Sequence, residues 1–396
     1  MKIHRLLVEQ VIYALEEIFE HGQYADKVIE RVMKANRKWG ARDRKFFAET
    51  VYEIVRWKRL LIEITGEEDW WRVFGVYFLR KGEEQLPNWE EFHGLSLPRI
   101  QEREKKITNP AILQSMPDWM YERGLKEIGP EFDQVAKALN RPAEVFLRVN
   151  TLRIQPDELI KKLAEEDIQA EKVSPDLPVA LRLKERKNVF VTDAFKKGFF
   201  EVQDAASQMV AALLDVEPGH RVVDACAGAG GKSLHIAALL KNKGKIISLD
   251  IHEWKLKELK ERARRNGVDV IETRVIDSNK VIKRMEESAD RVLLDVPCSG
   301  MGVLRRNPDS KWKLSNDEIT RLQQLQYEIL TGYSQMTKKG GRLVYATCSL
   351  LPSENEQQVA KFIAEHGDKW SLVKELHLRP DREGFDGFYA ALLQRH

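Results

Sequence analysis

Two of the three cysteines stand in polar segments where a thiol can act as a nucleophile. Cys298 lies in the segment DVPCSGMG and Cys348 in the segment YATCSLLP, and each follows a short apolar run and precedes a serine. In a polar loop at a strand end, backbone amides, a helix start or a cationic substrate can favour the thiolate over the free thiol, whose pKa is about 8.5. The two segments therefore predict covalent catalysis by a cysteine.

Carbon 5 of cytosine is a target that needs such a thiolate. It is too weakly nucleophilic to take a methyl group unaided, so a thiolate must first add to carbon 6 and make carbon 5 enamine-like. Asp295, three residues before Cys298, is an acid that can protonate or hydrogen-bond ring nitrogen N3 and so ease the addition. The residues alone do not order the two cysteines. For Cys226, a small buried hydrophobic residue is the simpler interpretation.

A second group of residues can hold an adenosine-type cofactor. The stretch DACAGAGGK places Gly228, Gly230 and Gly231 between a predicted strand and a predicted helix, where small residues let the backbone approach a ligand closely. Asp250 comes 22 residues after Gly228, at the end of the next predicted strand, which suits an acid that binds a ribose diol. A tight turn without a ligand is the alternative for the glycines alone.

The elements that must position these residues begin at Arg221. From there short apolar runs alternate with helical patterns, which predicts an α/β fold with a parallel, doubly wound, Rossmann-like sheet. Ligands bind beyond the carboxyl ends of the strands in such sheets. Four predicted strands end in or just before an acidic residue, and these residues are Asp224, Asp250, Asp277 and Asp295. One rim of the sheet is therefore expected to carry four carboxylates.

The rest of the chain divides into two further regions. Residues 1–140 contain helical patterns and almost no strand-like runs, which predicts an all-α domain. Residues 141–215 mix a strand-like piece, VFLRVNTLR, with a helix, PDELIKKLAEE, and we interpret them as a small α+β connecting module. The catalytic domain is then expected over residues 216–396.

The composition argues against several other classes of protein. Three cysteines spread along the chain do not make a disulfide framework, and no CxxC or CxxH spacing indicates a metal site. No apolar run approaches the roughly 18 residues of a membrane span. The net charge of +3 averages 65 basic and 62 acidic residues and does not decide the partner. We expect a cytoplasmic monomer with no metal and no membrane association.

The motifs, taken together, resemble those of the RNA 5-methylcytosine methyltransferases of the RsmB (Fmu or Sun) type, in particular the bacterial small-subunit ribosomal RNA enzymes. The resemblance covers most of the chain. It rests on DACAGAGGK, the LD ending the second predicted strand, DVPCSGMGVLRRNPD and ATCSLLPSENE, with SMPDWM, LRVNTLR, VQDAASQ and DGFYAALL. It implies S-adenosylmethionine as cofactor and methylation of cytosine carbon 5 in RNA. The implied substrate is 16S ribosomal RNA, with transfer RNA as the alternative.

The resemblance also implies roles for individual residues. Cys348 of the TCS motif is the expected nucleophile, Cys298 of the PCS motif is expected to release the product, and Asp295 remains the acid. Asp250 is expected to hold the ribose and Asp277 the adenine edge. The full set of expected cofactor contacts is Cys226, Ala227, Gly228, Ala229, Gly230, Gly231, Lys232, Asp250, Asp277 and Asp295. Many members read CAAPGGK where this chain reads CAGAGGK, with Gly228 in place of the second alanine and Ala229 in place of the proline.

RNA contacts are expected in three places. The segment GARDRKFFAETVYEIVRWKRLL resembles the NusB-like RNA-binding helical domain attached to RsmB-type enzymes, and Arg56, Lys58 and Arg59 around Trp57 form a basic patch in it. Phosphates need cations near a flipped base. The other candidate RNA-binding residues, in the connecting module and beside the catalytic loop, are Arg148, Asn150, Arg153, Arg305, Arg306 and Lys311.

Two other functions remain open from the sequence. GGKS followed by RVLLD imitates a P-loop nucleotidase, although Cys226 stands where a P-loop has its first glycine and Ser233 breaks the dinucleotide pattern GxGxxG. A non-catalytic ribosomal RNA assembly factor could use the NusB-like segment alone. The cysteine pair argues against both alternatives.

Overall fold

The computed structural model describes residues 4–82 and 85–396. The chain forms two compact units, which are not simple halves of the sequence. The first unit is Met1–Arg141 together with Leu304–Asn316, and the second is Pro142–Val303 together with Asp317–His396. The second unit thus contains residues of both the connecting module and the α/β region. The polypeptide enters the first unit again directly after the PCS motif.

The regular elements described in the first unit are all helical. They are α1 (Arg5–Phe19), α2 (Ala25–Ala35), α3 (Ala41–Thr65), α4 (Trp70–Arg80), α5 (Leu97–Lys105), α6 (Pro110–Leu113), α7 (Asp118–Ile128), α8 (Phe132–Leu139) and, from the later segment, α15 (Ser310–Lys313). Local signals explain their ends. The carboxylate of Asp69 accepts a hydrogen bond from Arg72 N at the start of α4, and Gly66 ends α3 in the left-handed conformation.

The later segment, residues 304–316, is held by buried polar contacts of the helical unit. The ammonium of Lys311 is fully buried and donates to the carbonyl oxygens of Arg56 and Ser115, at 3.1 and 3.2 Å, and to Asn140 Oδ1 at 2.6 Å. Next to it, the Trp312 indole donates to the carbonyl of Val55. Burying a polar group costs free energy unless the group has a hydrogen-bond partner. These contacts therefore fix the position of the segment.

The second unit contains two sheets. The smaller sheet is antiparallel, with order β2-β3-β1-β4, and is formed by β1 (Phe146–Val149), β2 (Ala170–Lys172), β3 (Ala180–Leu183) and β4 (Phe200–Val202). Helices α9 (Pro156–Glu165) and α10 (Asp193–Lys196) belong to the same region. Apolar residues of β1, β3, β4 and α9 form its core, including Leu147, Leu159, Leu181 and Phe200.

The larger sheet has seven strands in the order β10-β11-β9-β8-β5-β6-β7. The strands are β5 (Arg221–Asp224), β6 (Lys245–Asp250), β7 (Ile271–Val275), β8 (Ala289–Asp295), β9 (Thr337–Thr347), β10 (Trp370–Leu378) and β11 (Phe388–Arg395). Strands β9, β8, β5, β6 and β7 run parallel, and β10 and β11 add an antiparallel edge. The chain leaves β5 toward β6 on one side and returns to β8 on the other, which creates the crevice where ligands bind in such sheets.

Helices cover both faces of this sheet. They are α11 (Ala205–Leu213), α12 (Gly231–Leu239), α13 (Glu253–Asn266), α14 (Asn279–Lys283), α16 (Asn316–Ser334) and α17 (Glu356–His366). Two separate clusters of buried apolar residues result, one around Val222 and Leu259 and the other around Val223 and Leu330. Neighbouring residues of β5 thus face opposite layers, because side chains alternate along a strand.

The α/β fold expected from the sequence is confirmed. The helical patterns of residues 1–140 are present as helices, with the segment ARDRKFFAETVYEIVRWKRLL in α3, and each of the four predicted strands with an acidic end is present. The final antiparallel pair, β10 and β11, was not predicted as strands. Among the described residues, none of the helices is both long and apolar enough to cross a membrane.

Candidate active site

Cys298 and Cys348 lie next to each other beyond the carboxyl ends of two paired strands. Strands β8 and β9 are parallel neighbours, as the sequence predicts, and Asp295 at the end of β8 is paired with Ala346. The loops that follow bring the two sulfur atoms to 3.4 Å, within reach of an S–H···S hydrogen bond. Both cysteines are free and only partly buried. The structure therefore presents two thiols to one crevice.

Backbone contacts hold the two cysteine loops at this distance. Gly302 N donates to the carbonyl of Cys348 at 2.9 Å, and Gly387 N donates to the carbonyl of Gly302 at 2.8 Å. A Cβ atom on Gly302 would lie 2.1 Å from the Gly387 oxygen and 2.8 Å from the Cys348 oxygen. Only glycine fits there. The DGFYAALL motif thus supplies, through Gly387, a third backbone segment against the two loops.

A buried carboxylate lies behind the same two loops. Glu354 is fully buried and accepts hydrogen bonds from Ser299 N, Ser299 Oγ and Ser349 Oγ. Gln326 Nε2 donates to it as well, at 2.9 Å. Ser299 and Ser349 directly follow the two cysteines, so one side chain contacts both cysteine loops. Glu354 belongs to the motif ATCSLLPSENE, but no role was predicted for it; an acid six residues after a candidate nucleophile was the available signal.

Lys232 forms an ion pair with Asp295 in front of the cysteines. Its ammonium lies 2.6 Å from Asp295 Oδ2, with 11% of the lysine side chain and 30% of the aspartate side chain exposed. Burial lowers the pKa of Lys232, but the Asp295 carboxylate and, more weakly, Cys348 outweigh that effect and raise the pKa above its ordinary value. The lysine therefore stays charged at neutral pH. It lies close to Asp295 and Cys348, the two groups that are expected to act on the cytosine ring.

The glycine loop after β5 is held against Asp250 at the end of β6. Gly228 N donates to Asp250 Oδ2 at 2.9 Å, and His252 N donates to Oδ1 at 2.8 Å. Gly228 has a φ of +53°, and a Cβ atom built on it would meet nothing within 4 Å, so open space borders the loop. An oriented carboxylate beside an open glycine loop fits a ribose diol and the chain attached to it.

The other predicted carboxylates of the rim differ in their surroundings. Asp277 is exposed, two residues past β7, and accepts a hydrogen bond from its neighbour Ser278. Asp224 is instead enclosed beneath the loop, where it accepts from Ser233 Oγ at 2.6 Å and where burial raises its pKa to about 7. Burial likewise raises the pKa of the Cys226 thiol well above its usual value. Cys226 is thus a poor nucleophile.

Two of the residues predicted to bind RNA are internal to the second unit. Arg148 is buried and donates to the carbonyl oxygen of Gly231 at 2.5 Å and to Gln203, so it supports the cofactor loop from behind. Asn150 is also buried and donates to the carbonyls of Gly198 and Asn266. Their hydrogen-bonding groups are used inside the protein, and the RNA-binding interpretation of both residues is wrong.

The remaining predicted RNA contacts fall into two groups. Lys311 and Arg305 are buried in the helical unit, and the ammonium of Lys311 is surrounded by three protein oxygens, so neither residue presents its charge to a phosphate. That prediction is wrong for both. Arg306 is partly exposed, and Arg153 is exposed while its Nε donates to the carbonyl of Asn266. These two stay candidates.

The basic patch formed by Arg56, Lys58 and Arg59 is also largely internal. Arg56 is buried and donates to the carbonyl of Arg305 and to Glu53. Lys58 lies 4.4 Å from the ring centroid of Phe19, and Arg59 pairs with Asp118. These cations stabilise the helical unit. In the described residues no group of three or more His, Cys, Asp or Glu side chains could hold a metal ion.

Two family models match the chain. Residues 211–394 match the model described as 16S rRNA methyltransferase RsmB/F. Residues 116–190 match the ferredoxin-like domain of RsmF/B-like methyltransferases, which overlaps the small antiparallel sheet.

Similar proteins agree with these models. A probable ribosomal RNA small subunit methyltransferase B of Bacillus subtilis is 35% identical over 317 residues, which cover 76% of this chain and 70% of that protein. A protein of the same description from Synechocystis is 31% identical over an alignment of 436 positions, gaps included. The alignment covers 96% of this chain and 97% of that protein.

Solved structures share the fold. The crystal structure of PH0851 has a TM-score of 0.83 and 28% sequence identity, and the match covers 100% of this chain and 99% of that chain. NSun6 from Pyrococcus horikoshii, solved with SFG, has a TM-score of 0.66 and 22% identity, covering 72% and 99%.

Fold, site and relatives together define an enzyme that uses S-adenosylmethionine to methylate RNA. The chain belongs to the RsmB/F family of 16S rRNA methyltransferases. This confirms the family resemblance carried by the motifs. The nucleotidase and the assembly factor are not favoured.

Proposed function

We propose that this protein methylates carbon 5 of a cytosine in 16S ribosomal RNA through a covalent adduct between Cys348 and carbon 6 of the base. The observation that carries the proposal is the 3.4 Å separation of the Cys298 and Cys348 sulfur atoms at the ends of two parallel strands. One thiol suffices to form an adduct, and a second beside it can take part in resolving it. The ribosomal substrate is inferred from the relatives in Bacillus subtilis and Synechocystis.

Lys232 supports Cys348 as the attacking thiolate. The lysine is charged, and its charge interacts with Cys348. A cation next to a cysteine favours its thiolate form. Cys348 Sγ then forms a bond to carbon 6, and the electron pair of the carbon 5–carbon 6 double bond shifts into the ring as N3 takes a proton.

The proton for N3 comes through the pair formed by Lys232 and Asp295. Asp295 remains partly exposed beside the cysteines, so a base can contact its carboxylate. The Lys232 ammonium passes a proton to the Asp295 carboxylate across their 2.6 Å contact, and the carboxyl group formed in this way gives its proton to N3. Asp295 ends the step ionised, and the lysine regains its proton from solvent.

Cys298 has the properties of the group that takes the carbon 5 proton. The hydrogen bond with Cys348, together with burial, raises the pKa of Cys298 well above its usual value, so Cys298 keeps its proton while Cys348 attacks. After the adduct forms, Cys348 no longer carries a negative charge, and the main obstacle to ionising Cys298 is gone. Once carbon 5 carries the methyl group, Cys298 loses its proton to solvent and removes the proton from carbon 5. The electron pair left behind restores the carbon 5–carbon 6 double bond, the Cys348–carbon 6 bond breaks with its electrons on the Cys348 sulfur, and N3 gives its proton to solvent.

The cofactor loop and its neighbours fit S-adenosylmethionine. Bound there, the cofactor supplies an electrophilic methyl group on a sulfonium. We propose that Asp250 holds the ribose, Asp277 the adenine edge, and the backbone from Cys226 to Lys232 the remaining chain. Arg153 and Arg306 are the proposed RNA contacts. We also propose that the protein acts in the cytoplasm.

The test compares the wild type with single variants on unmodified 16S ribosomal RNA. Cys348→Ala should abolish 5-methylcytosine and the denaturation-resistant protein–RNA adduct. Cys298→Ala should accumulate the adduct, and Gly332→Ala, a control in helix α16 where an added Cβ atom meets nothing within 4 Å, should retain both activities. Methylation that survives Cys348→Ala would exclude the adduct mechanism. If the wild type modifies only transfer RNA, the chemistry stands and the substrate assignment does not.

A further inference from the structure

The two cysteine loops share one buried carboxylate, that of Glu354, and each of its two oxygens accepts two hydrogen bonds. Ser299 N and Gln326 Nε2 donate to Glu354 Oε1, at 2.8 and 2.9 Å. The hydroxyls of Ser299 and Ser349 both donate to Oε2 and lie 3.2 Å from each other. Each cysteine is therefore followed by a serine, and both serine hydroxyls donate to the same oxygen, Glu354 Oε2.

The hydrogen bonds of the Glu354 side chain are those of a group that only accepts. A carboxylate has about four acceptor sites and no donor, and four donors point at this one. Hydrogen bonds to the charged form stabilise it even in a buried place. A glutamine of the same shape would replace one oxygen by an NH₂ group, which cannot accept from the donors that face it. The site is therefore built for a negative charge.

A second set of contacts keeps the chain after Cys348 in the same place. Thr347 Oγ1 donates to Asn355 Oδ1, and Asn355 Nδ2 donates to the carbonyl of Ser349 at 3.1 Å. The hydroxyl of Tyr345 donates to the backbone carbonyl of Glu354 at 2.7 Å. Glu354 is thus fixed to β9 through its backbone, while its side chain reaches across to the loop that carries Cys298.

We propose that Glu354 is the positioning residue of the thiol pair: it sets the distance between Cys298 and Cys348 and keeps Cys298 as the protonated partner. This inference rests on the proposed function only in assigning different roles to the two cysteines. Glu354 acts through the serines and through its charge, and it contacts neither thiol directly. The contact between the PCS and PSENE motifs cannot be inferred from the sequence, because 55 positions separate Ser299 from Glu354.

The electrostatic part follows from the groups that face Cys298. They are Cys348, which shares a hydrogen bond with it, Glu354 and Tyr345, whereas Lys232, paired with Asp295, interacts with Cys348. Cys348 and burial raise the pKa of Cys298 most, and the Glu354 charge raises it further. Two negative sulfurs above a buried carboxylate are strongly disfavoured, so Glu354 helps to ensure that one thiol of the pair keeps its proton.

Two substitutions of Glu354 distinguish its effect on the distance between the two thiols from the effect of its charge. Glu354→Gln removes the charge and two acceptor positions, whereas Glu354→Asp keeps the charge and shortens the reach. The control is Glu356→Gln. It also removes a negative charge, but from a partly exposed site two residues after Glu354 in the chain. The full-length proteins are treated with iodoacetamide over a range of pH, and alkylation of Cys298 and Cys348 is followed separately by peptide mass spectrometry.

In Glu354→Gln the pH midpoint for alkylation of Cys298 should fall by about one unit or more relative to wild type. In Glu354→Asp it should stay near the wild-type value, and in Glu356→Gln it should not change. Both Glu354 variants should lower kcat for methyl transfer at least about tenfold with little change in KM for RNA, since the thiols lose their mutual geometry. Binding of S-adenosylhomocysteine, with the wild-type Kd, reports that the variants are folded.

An unchanged Cys298 midpoint in a folded Glu354→Gln protein would overturn the inference. If Glu354→Gln does not fold, Ser299→Ala and Ser349→Ala, which each remove one donor, must still lower kcat without changing KM, and full kcat in both would also overturn it. The alkylation experiment uses no RNA. It therefore gives its result even if Cys348→Ala retains methylation, so the inference and the proposed function can fail separately.

Discussion

Lys311 donates a hydrogen bond to Asn140 Oδ1 over 2.6 Å inside the helical unit, although the two residues are 171 positions apart in the chain. Five residues after Cys298 the polypeptide leaves the second unit, and it returns only at Asp317. The helical unit is therefore completed by a segment that begins in the catalytic motif. It therefore includes residues beyond the predicted range 1–140.

Lys311→Met should destabilise the helical unit. The substitution keeps an apolar stem but leaves the carbonyls of Arg56 and Ser115 and the Asn140 oxygen without their shared donor. Unsatisfied buried acceptors predict a loss of roughly 2–4 kcal/mol in the free energy of unfolding, partly offset because a buried charge is removed. Urea unfolding followed by far-UV circular dichroism measures it. Lys38→Met, on an exposed site of the same unit, should change stability by less than about 0.5 kcal/mol.

Gly302→Ala should inactivate the enzyme. The new methyl group would meet the Gly387 and Cys348 carbonyl oxygens at 2.1 and 2.8 Å, so the cysteine loops must separate. A shift of about 1 Å in reacting groups can cost a hundredfold in rate, and we expect kcat to fall by at least about that factor. The control is Gly332→Ala, because a Cβ atom there meets nothing within 4 Å in helix α16. It should keep full activity and gain about 0.5–1 kcal/mol of stability.

Arg148→Met should weaken cofactor binding and leave RNA binding unchanged. Arg148 holds the Gly231 carbonyl and is almost fully buried, so its loss relaxes the cofactor loop. We expect the Kd for S-adenosylhomocysteine to rise about tenfold, which corresponds to about 1.4 kcal/mol. Calorimetric titration measures it, with Arg182→Met on the exposed side of the same small sheet as control. A loss of RNA affinity with normal cofactor binding would restore the original interpretation of Arg148 as an RNA contact.

Asp224→Asn should make stability less dependent on pH. The pKa of Asp224 is raised to about 7 by burial, above the value of about 3.9 in an unfolded chain. The folded protein then binds a proton more tightly than the unfolded chain, so its stability falls as pH rises from about 4 to 7 and stays lower above that range. The asparagine variant should lack this decline and exceed the wild type at pH 8, by up to about 4 kcal/mol. Unfolding curves at several pH values test this, with the exposed Asp176→Asn as control.

The position of the candidate site residues at one rim of the sheet was largely predictable from the sequence. Cysteines and acids that follow apolar runs in an alternating α/β pattern must gather at one rim, because parallel strands end on the same side of their sheet. Asp250, Asp295, Cys298 and Cys348 were found in this way. Glycines between a strand and a helix marked the cofactor loop for the same reason.

Tertiary structure alone decided which polar residues face the crevice and which lie behind it. Arg148, Asn150 and Lys311 look like phosphate ligands in the sequence, because a charge or an amide carries no mark of its burial. The fold turns them inward to carbonyl groups contributed by residues far away in the chain. Glu354 is the opposite case: its partners come from three separate segments, and only their meeting in space makes it part of the site.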